Sequence, residues 1–133
     1  MTTSSNAAVS QRRGVHVALW VLQALLAAFF VFAAAPKLLG DPTTVQMFDL
    51  IGFGQWFRYL TGTLELLGAI GLLVPRLAGP AALGLAGVMI GATITQVFAF
   101  HDPGMALMPL VLVVVFLAVA WGRRASIPFL TGR

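Results

Sequence analysis

Residues 56–74 read WFRYLTGTLELLGAIGLLV, an apolar run long enough to cross a bilayer, which takes about 20 residues in a helix. Near its middle stands Glu65, and no other carboxylate in the chain lies so deep in an apolar run. By insertion scales an ionisable group at that depth costs at least about 2.5–3.5 kcal/mol, so its side chain is expected to face protein or a wet cavity rather than lipid. The fold and the candidate site both follow from where this segment sits.

The rest of the chain agrees with lipid as its solvent. Its 133 residues are 59% hydrophobic and 9% charged, with a mean hydropathy of +0.96. A soluble globule of this length cannot bury so much apolar surface. The segments outside the apolar runs are too short to hold a second core, so one domain is expected. A net charge of +4 and a pI near 11.3 raise the question of nucleic acid. The basic residues flank apolar runs instead of forming a patch with interleaved aromatics, so they are read as topology and no nucleic-acid partner is expected. Cysteine is absent, which excludes disulfide staples, thiolate metal sites and a dithiol relay through this chain. The excess of arginine over lysine, with abundant alanine and glycine, fits a GC-rich bacterial source.

Outward from residues 56–74, four spans are expected. Residues 1–13 are polar and aperiodic and read as a disordered tail. Val15 to Ala35 form the first span. Arg12-Arg13 before it and Ala33-Ala34-Ala35 at its end imitate a signal peptide, but the run has spanning length and Pro36 follows the nominal cut, so a retained helix closed by Pro36 is expected. Asp41-Pro42 starts a short interfacial helix that Gly52-Phe53-Gly54 ends. The second span, Trp56 to Val74, turns at Pro75-Arg76 into the third, Ala78 to Phe100, and the short turn makes the two antiparallel neighbours. His101-Asp102-Pro103 leads to a fourth span, Gly104 to Gly122, with a short tail over 125–133. The expected fold is thus an all-α membrane protein: a four-transmembrane-helix bundle over residues 14–124, with a short interfacial helix between helices 1 and 2. Arg12, Arg13, Arg76, Arg123, Arg124 and Arg133 fall on one side against Lys37 and Arg58 on the other. That asymmetry places both termini in the cytoplasm of a multi-pass protein of the bacterial cytoplasmic (inner) membrane.

Register converts to depth at about 1.5 Å per residue. Gln23 and Glu65 come out near the midplane, and Gln96, Arg58, Lys37, His101 and Asp102 progressively nearer the outer face, leaving the inner half almost without polar groups. A polar pocket open to the outer leaflet is expected around Glu65, lined by Lys37, Arg58, Gln96, Gln23 and Thr61. Arg58, Gly62, Glu65, Ala69 and Leu72 share one helix face. Either Lys37 or Arg58 can pair with the carboxylate and keep it ionised; unpaired, it is neutral. Gly62, Gly68, Gly84, Gly87 and Gly91 are expected to let helices approach closely, the other reading of the glycine stripes being a groove that admits a ligand. Gln23, Thr93 and Gln96 read first as interhelical hydrogen-bond partners and only second as ligand contacts. His16 and His101 are expected at the membrane surface on opposite sides, which argues against paired axial ligation of a haem. The methionines read as packing residues. No metal site, phosphate loop or nucleophile–base pair is present, and no catalytic residue is assigned.

The stretches Ala35-Pro36-Lys37-Leu38-Leu39, Gly52, Tyr59-Leu60-Thr61-Gly62-Thr63-Leu64-Glu65-Leu66-Leu67-Gly68-Ala69 and Pro75-Arg76 resemble the DoxX and DoxX-like family of small bacterial membrane proteins, over roughly Val15 to Gly122. The resemblance implies four transmembrane helices with both termini inside. It also implies a link to quinol- and thiosulfate-oxidising systems or to complexes handling oxidative or thiol stress, and it draws attention to Lys37 and Glu65 without supplying a reaction. The expected function is an accessory subunit of such a redox complex with no catalysis of its own, whose pocket takes a quinone-like molecule as the one cofactor considered. Its partners would be the lipid bilayer and a membrane redox enzyme or further copies of itself. Two alternatives stand beside it: a small proton-coupled transporter or channel with Glu65 as relay, and a ligand-free membrane assembly factor in which the ion pair only fixes helix register.

Overall fold

The computed structural model describes residues 2–127, with side chains from Ser10 onward except that of Ser126. Five α-helices and no strand are present among them: α1 (Thr2–Leu39), α2 (Pro42–Ile51), α3 (Gln55–Leu72), α4 (Ala78–Phe98) and α5 (Leu107–Gly122), followed by a single 3-10 turn at Arg124–Ser126. Along its length α1 packs on α3, α3 also packs on α4, and α4 packs on α5, which returns to touch α1. Two of the helices, α1 over Ser10–Leu39 and α4, are long and apolar enough to cross a membrane.

Local chemistry sets the boundaries. The segment expected to be disordered continues α1 back to Thr2. Nothing before Pro36 stops a helix, and Gly14 costs only about 1 kcal/mol relative to alanine. Pro36 does not end the helix either, contrary to expectation: it lies inside the last turn of α1. A proline removes one helical N–H bond to the carbonyl four residues earlier. Beyond it the chain stays helical because the N–H groups of Gly40 and Asp41 both close on the Pro36 carbonyl, at 3.1 and 3.0 Å. Gly40, at φ +78°, makes the left-handed stop. Asp41 then caps α2 as expected, its Oδ2 accepting from the Thr44 N–H at 3.2 Å. At the other end α5 begins at Leu107 rather than Gly104, because residues 103–106 form turns. Ile127 belongs to the core instead of to a free tail; residues 128–133 of the expected tail lie outside the described residues.

The core is built from Leu26, Phe30, Ala69, Leu72, Leu85, Phe116 and Val119, with the Phe30 and Phe116 rings edge to face at 5.2 Å. Two α3 glycines permit its contact with α4. A methyl group on Gly68 would sit 2.5 Å from Leu85 Cγ, and one on Gly71 2.8 Å from Ala81 Cβ. The expected packing role of Gly84, Gly87 and Gly91 is not found. All three are exposed and a methyl on any of them meets nothing within 4 Å. Their spacing fixed a face of α4 but not what that face meets, and α3 and α5 contact others. Leu25, Phe32, Leu67, Ile94, Val114 and Trp121 are each more than half exposed, an apolar exterior that water would penalise and acyl chains do not.

Candidate functional site

The packed helices bring polar side chains together at two levels. At the Lys37 end, the close of α1 meets the first half of α3. Gly62 makes the approach possible, since a methyl there would lie 3.0 Å from both Lys37 Cβ and Leu38 Cγ. The periodic face of α3 is buried as its spacing requires: Arg58, Gly62, Glu65, Ala69 and Leu72 all point inward. Glu65 Oε1 lies 2.9 Å from Lys37 Nζ, with the glutamate side chain 3% accessible and the lysine 20%. The ammonium also donates to the Ala33 carbonyl at 3.1 Å. Of the two cations open to Glu65 from the sequence, Lys37 is therefore the partner.

Arg58 is occupied elsewhere. The last carbonyls of α1 have no partner within the helix, and Arg58 Nη1 donates to that of Lys37, setting its charge against the negative end of the α1 dipole. Its Nε donates to Gln55 Oε1 at 2.7 Å, and its guanidinium stacks 4.2 Å from the Tyr59 ring centre. Gln55 in turn donates to the Val45 carbonyl (3.1 Å) and to Asp49 Oδ1 (2.7 Å), so α2 is tied to the same junction. Gln55 was not foreseen. Its place three residues before Arg58 at a helix start was the available signal. Thr61 only returns its hydroxyl to the Phe57 carbonyl, at 2.8 Å. Gln96 is half-buried on α4, and none of the hydrogen bonds around Glu65 involves it. An apolar groove of about 340 Å³ between α3 and α4 is walled by Leu64, Leu67, Gly68, Pro80, Gly84 and Val88 among others, and Glu65 is not part of it.

A second polar cluster, whose partners the sequence did not bring together, forms at the Arg123 end. Gln23, fully buried, does not join Glu65. Its Nε2 donates to the Leu72 carbonyl at 2.6 Å, satisfying the C-terminus of α3, and its Oε1 accepts from Arg123 Nε at 2.7 Å. Arg123 Nη1 lies 2.9 Å from His16 Nδ1, Nη2 donates to the His16 carbonyl at 3.4 Å, and Trp20 Nε1 donates to His16 Nε2 at 3.1 Å. A neutral imidazole has a single acceptor nitrogen, so His16 serves one of these two donors at a time. Burial pulls the Arg123 pKa below its ordinary value, yet a guanidinium stays charged in proteins. A sequence separation of a hundred residues between Gln23 and Arg123 hid this link.

Between the two levels lies a dry layer. Leu26, Ala27, Phe30 and Ala34 on α1 and Ala69 on α3 are all buried, and Glu65 and Leu72, seven residues apart, stand about 10 Å apart along the helix. Among the described residues no group of three His, Asp or Glu side chains is placed to hold a metal ion.

A helical array with an apolar exterior and a lysine–glutamate pair shut between two helices defines a helical membrane protein. Residues 21–119 match the model of the DoxX-like family, and the chain belongs to that family of membrane proteins. No curated protein and no solved structure matches it.

Proposed function

We propose that this chain is a non-catalytic accessory subunit in the membrane, crossing it four times with α2 at the outer interface and both termini cytoplasmic, and that it serves a redox complex. At 18 and 16 residues, α3 and α5 measure about 27 and 24 Å, close to the roughly 30 Å of a bilayer core once tilt and flanking turns are added. Both carry exposed apolar flanks, Leu60, Leu64 and Leu67 on one and Leu110, Val114 and Leu117 on the other, which need the same solvent as α1 and α4. The Arg123 end gathers Arg12, Arg13, Arg76, Arg123 and Arg124, the pattern of a cytoplasmic face.

The closed Lys37–Glu65 pair carries the functional reading. A carboxylate 3% accessible and already neutralised favours a device that locks α1 to α3, and so presents a fixed surface to a partner, over a group waiting for a ligand. The dry layer speaks against a proton or cation route, which needs polar or wet steps across the midplane. The redox assignment rests on the associations of the resembling family. Its test is mild-detergent purification of the tagged chain at native expression: a quinol- or thiol-oxidising enzyme should accompany it in fixed ratio. Purification without one, while other membrane complexes stay intact, removes the redox role. A quinone reading keeps one supporting observation, the 20% accessibility of Lys37, which makes the ammonium rather than the carboxylate the donor to a quinone oxygen. Lys37→Met should then abolish quinone-analogue binding.

A further inference from the structure

We infer that the cleft between α1 and the end of α5 binds the phosphate headgroup of an anionic phospholipid. The cleft measures about 540 Å³, within the usual range for small-molecule sites. Gln11, Arg12, His16 and Arg123 form its polar wall, and Val15 and Gly122 contribute to its apolar one. The chain's four Asp and Glu residues are Asp41, Asp49, Glu65 and Asp102, and none lines the cleft.

The Arg123 guanidinium is held before any ligand arrives, by Gln23 Oε1 and by the ring nitrogen and carbonyl of His16, with Trp20 5.2 Å from its centre. With those contacts made, Arg123 brings a fixed positive charge to the cleft wall, and exposed Arg12 beside it is the arginine placed to meet a phosphate oxygen. Depth also fits. Trp20 and Trp121, the latter under Arg124 at 4.5 Å, mark the level at which indole rings settle beside headgroups. Val15 and Leu19, one turn apart on the cleft's own face of α1, give an acyl chain its first apolar contacts there, which favours a lipid over a free anion. Basic pockets between membrane helices at this level are known to suit acidic headgroups.

The inference rests on the proposed placement of these helix ends at the membrane surface, and the test separates the two. The full chain with Trp56→Phe and Trp121→Phe, leaving Trp20 as reporter, is reconstituted in phosphatidylcholine nanodiscs. These contain a minor fraction of phosphatidylglycerol or phosphatidylcholine brominated near the carbonyl. Brominated phosphatidylglycerol should quench Trp20 at a lower mole fraction than brominated phosphatidylcholine. Arg12→Gln should weaken that preference about fivefold, the effect of one basic residue near a membrane surface. Arg12 is exposed and outside the Gln23–His16–Arg123 network, so this variant keeps the fold. Equal quenching by both lipids, or a preference untouched by Arg12→Gln, overturns the headgroup site. Displacement of phosphatidylglycerol by millimolar inorganic phosphate would assign the cleft to a soluble anion and overturn the lipid. No quenching by either lipid would instead overturn the membrane placement of Trp20.

Discussion

The Lys37 and Arg123 ends bury polar groups between the same helices by opposite means. At the first, two full charges 2.9 Å apart, Lys37 and Glu65, satisfy each other across α1 and α3. At the second, a neutral amide, Gln23, bridges a backbone carbonyl of α3 to an arginine that follows α5. A largely buried ion pair is costly to break, because a carboxylate 3% accessible has almost no solvent to fall back on and an ammonium 20% accessible has little. An amide degrades gently, since its loss strands hydrogen-bonding groups of which one is only a carbonyl. The Lys37 end should therefore behave as a lock and the Arg123 end as a hinge pin with slack.

Substitutions that break one end and not the other sharpen this contrast. The largest loss is expected for Glu65→Leu, which leaves the Lys37 ammonium unpaired at a cost of about 3–5 kcal/mol, read as the shift in unfolding midpoint in mixed micelles. Joining Lys37→Met to Glu65→Gln should restore most of what either single change loses; additive losses would mean that the two do not act as a pair. Next comes Gln23→Leu, expected to lose about 1–3 kcal/mol by stranding the Leu72 carbonyl and one Arg123 donor. A loss as large as that of Glu65→Leu would erase the distinction between the ends. Gly62→Ala is expected to cost about 1–3 kcal/mol by overpacking, since its methyl meets Lys37 and Leu38 at 3.0 Å. Combined with the neutral Lys37→Met/Glu65→Gln pair, it should cost less, as the α1–α3 spacing is then free to relax. The smallest effect belongs to Gly87→Ala, where nothing lies within 4 Å. Helix propensity alone should make it neutral to about 1 kcal/mol stabilising, and a marked destabilisation would show that this face of α4 is covered in the membrane.

The same contrast explains what could be read from the chain beforehand. The face Arg58–Gly62–Glu65–Ala69–Leu72 and the Asp41-Pro42 helix start are local patterns, fixed by helical periodicity and by a side chain reaching three residues ahead, and both are present in the structure. Lys37 was legible as a partner because it closes the neighbouring helix, but the choice between it and Arg58 needed the end of α1, whose carbonyl draws Arg58 away. The Arg123 end was read in part: Gln23 was expected as an interhelical hydrogen-bond partner and is one, but register assigns depth along a helix and says nothing of azimuth, so its partners could not be named. Gln23 was placed at the level of Glu65, and it turns instead to Leu72 and Arg123. The glycines show the same limit in part: Gly62 and Gly68 pack as expected, with Gly71 beside them, whereas the spacing of Gly84, Gly87 and Gly91 marks a face that meets nothing within 4 Å. His16 and Arg123 also fall outside the 21–119 stretch that matches the family, so the match carries no information about them.

Arg58 and Glu65 both reach back to the last turn of α1, over the whole of α2. A growing polypeptide thus delivers Lys37 to the bilayer before its counter-ion and the cap for its carbonyl have been synthesised. Until α3 follows, the ammonium at the end of α1 has the Ala33 carbonyl but no counter-ion, and the last backbone oxygens stand open. A nascent chain stopped after Ile51 should leave that ammonium exposed to a water-soluble amine-labelling reagent, and one stopped after Leu72 should shield it, so the first three helices form the smallest unit that biogenesis can hand over as finished.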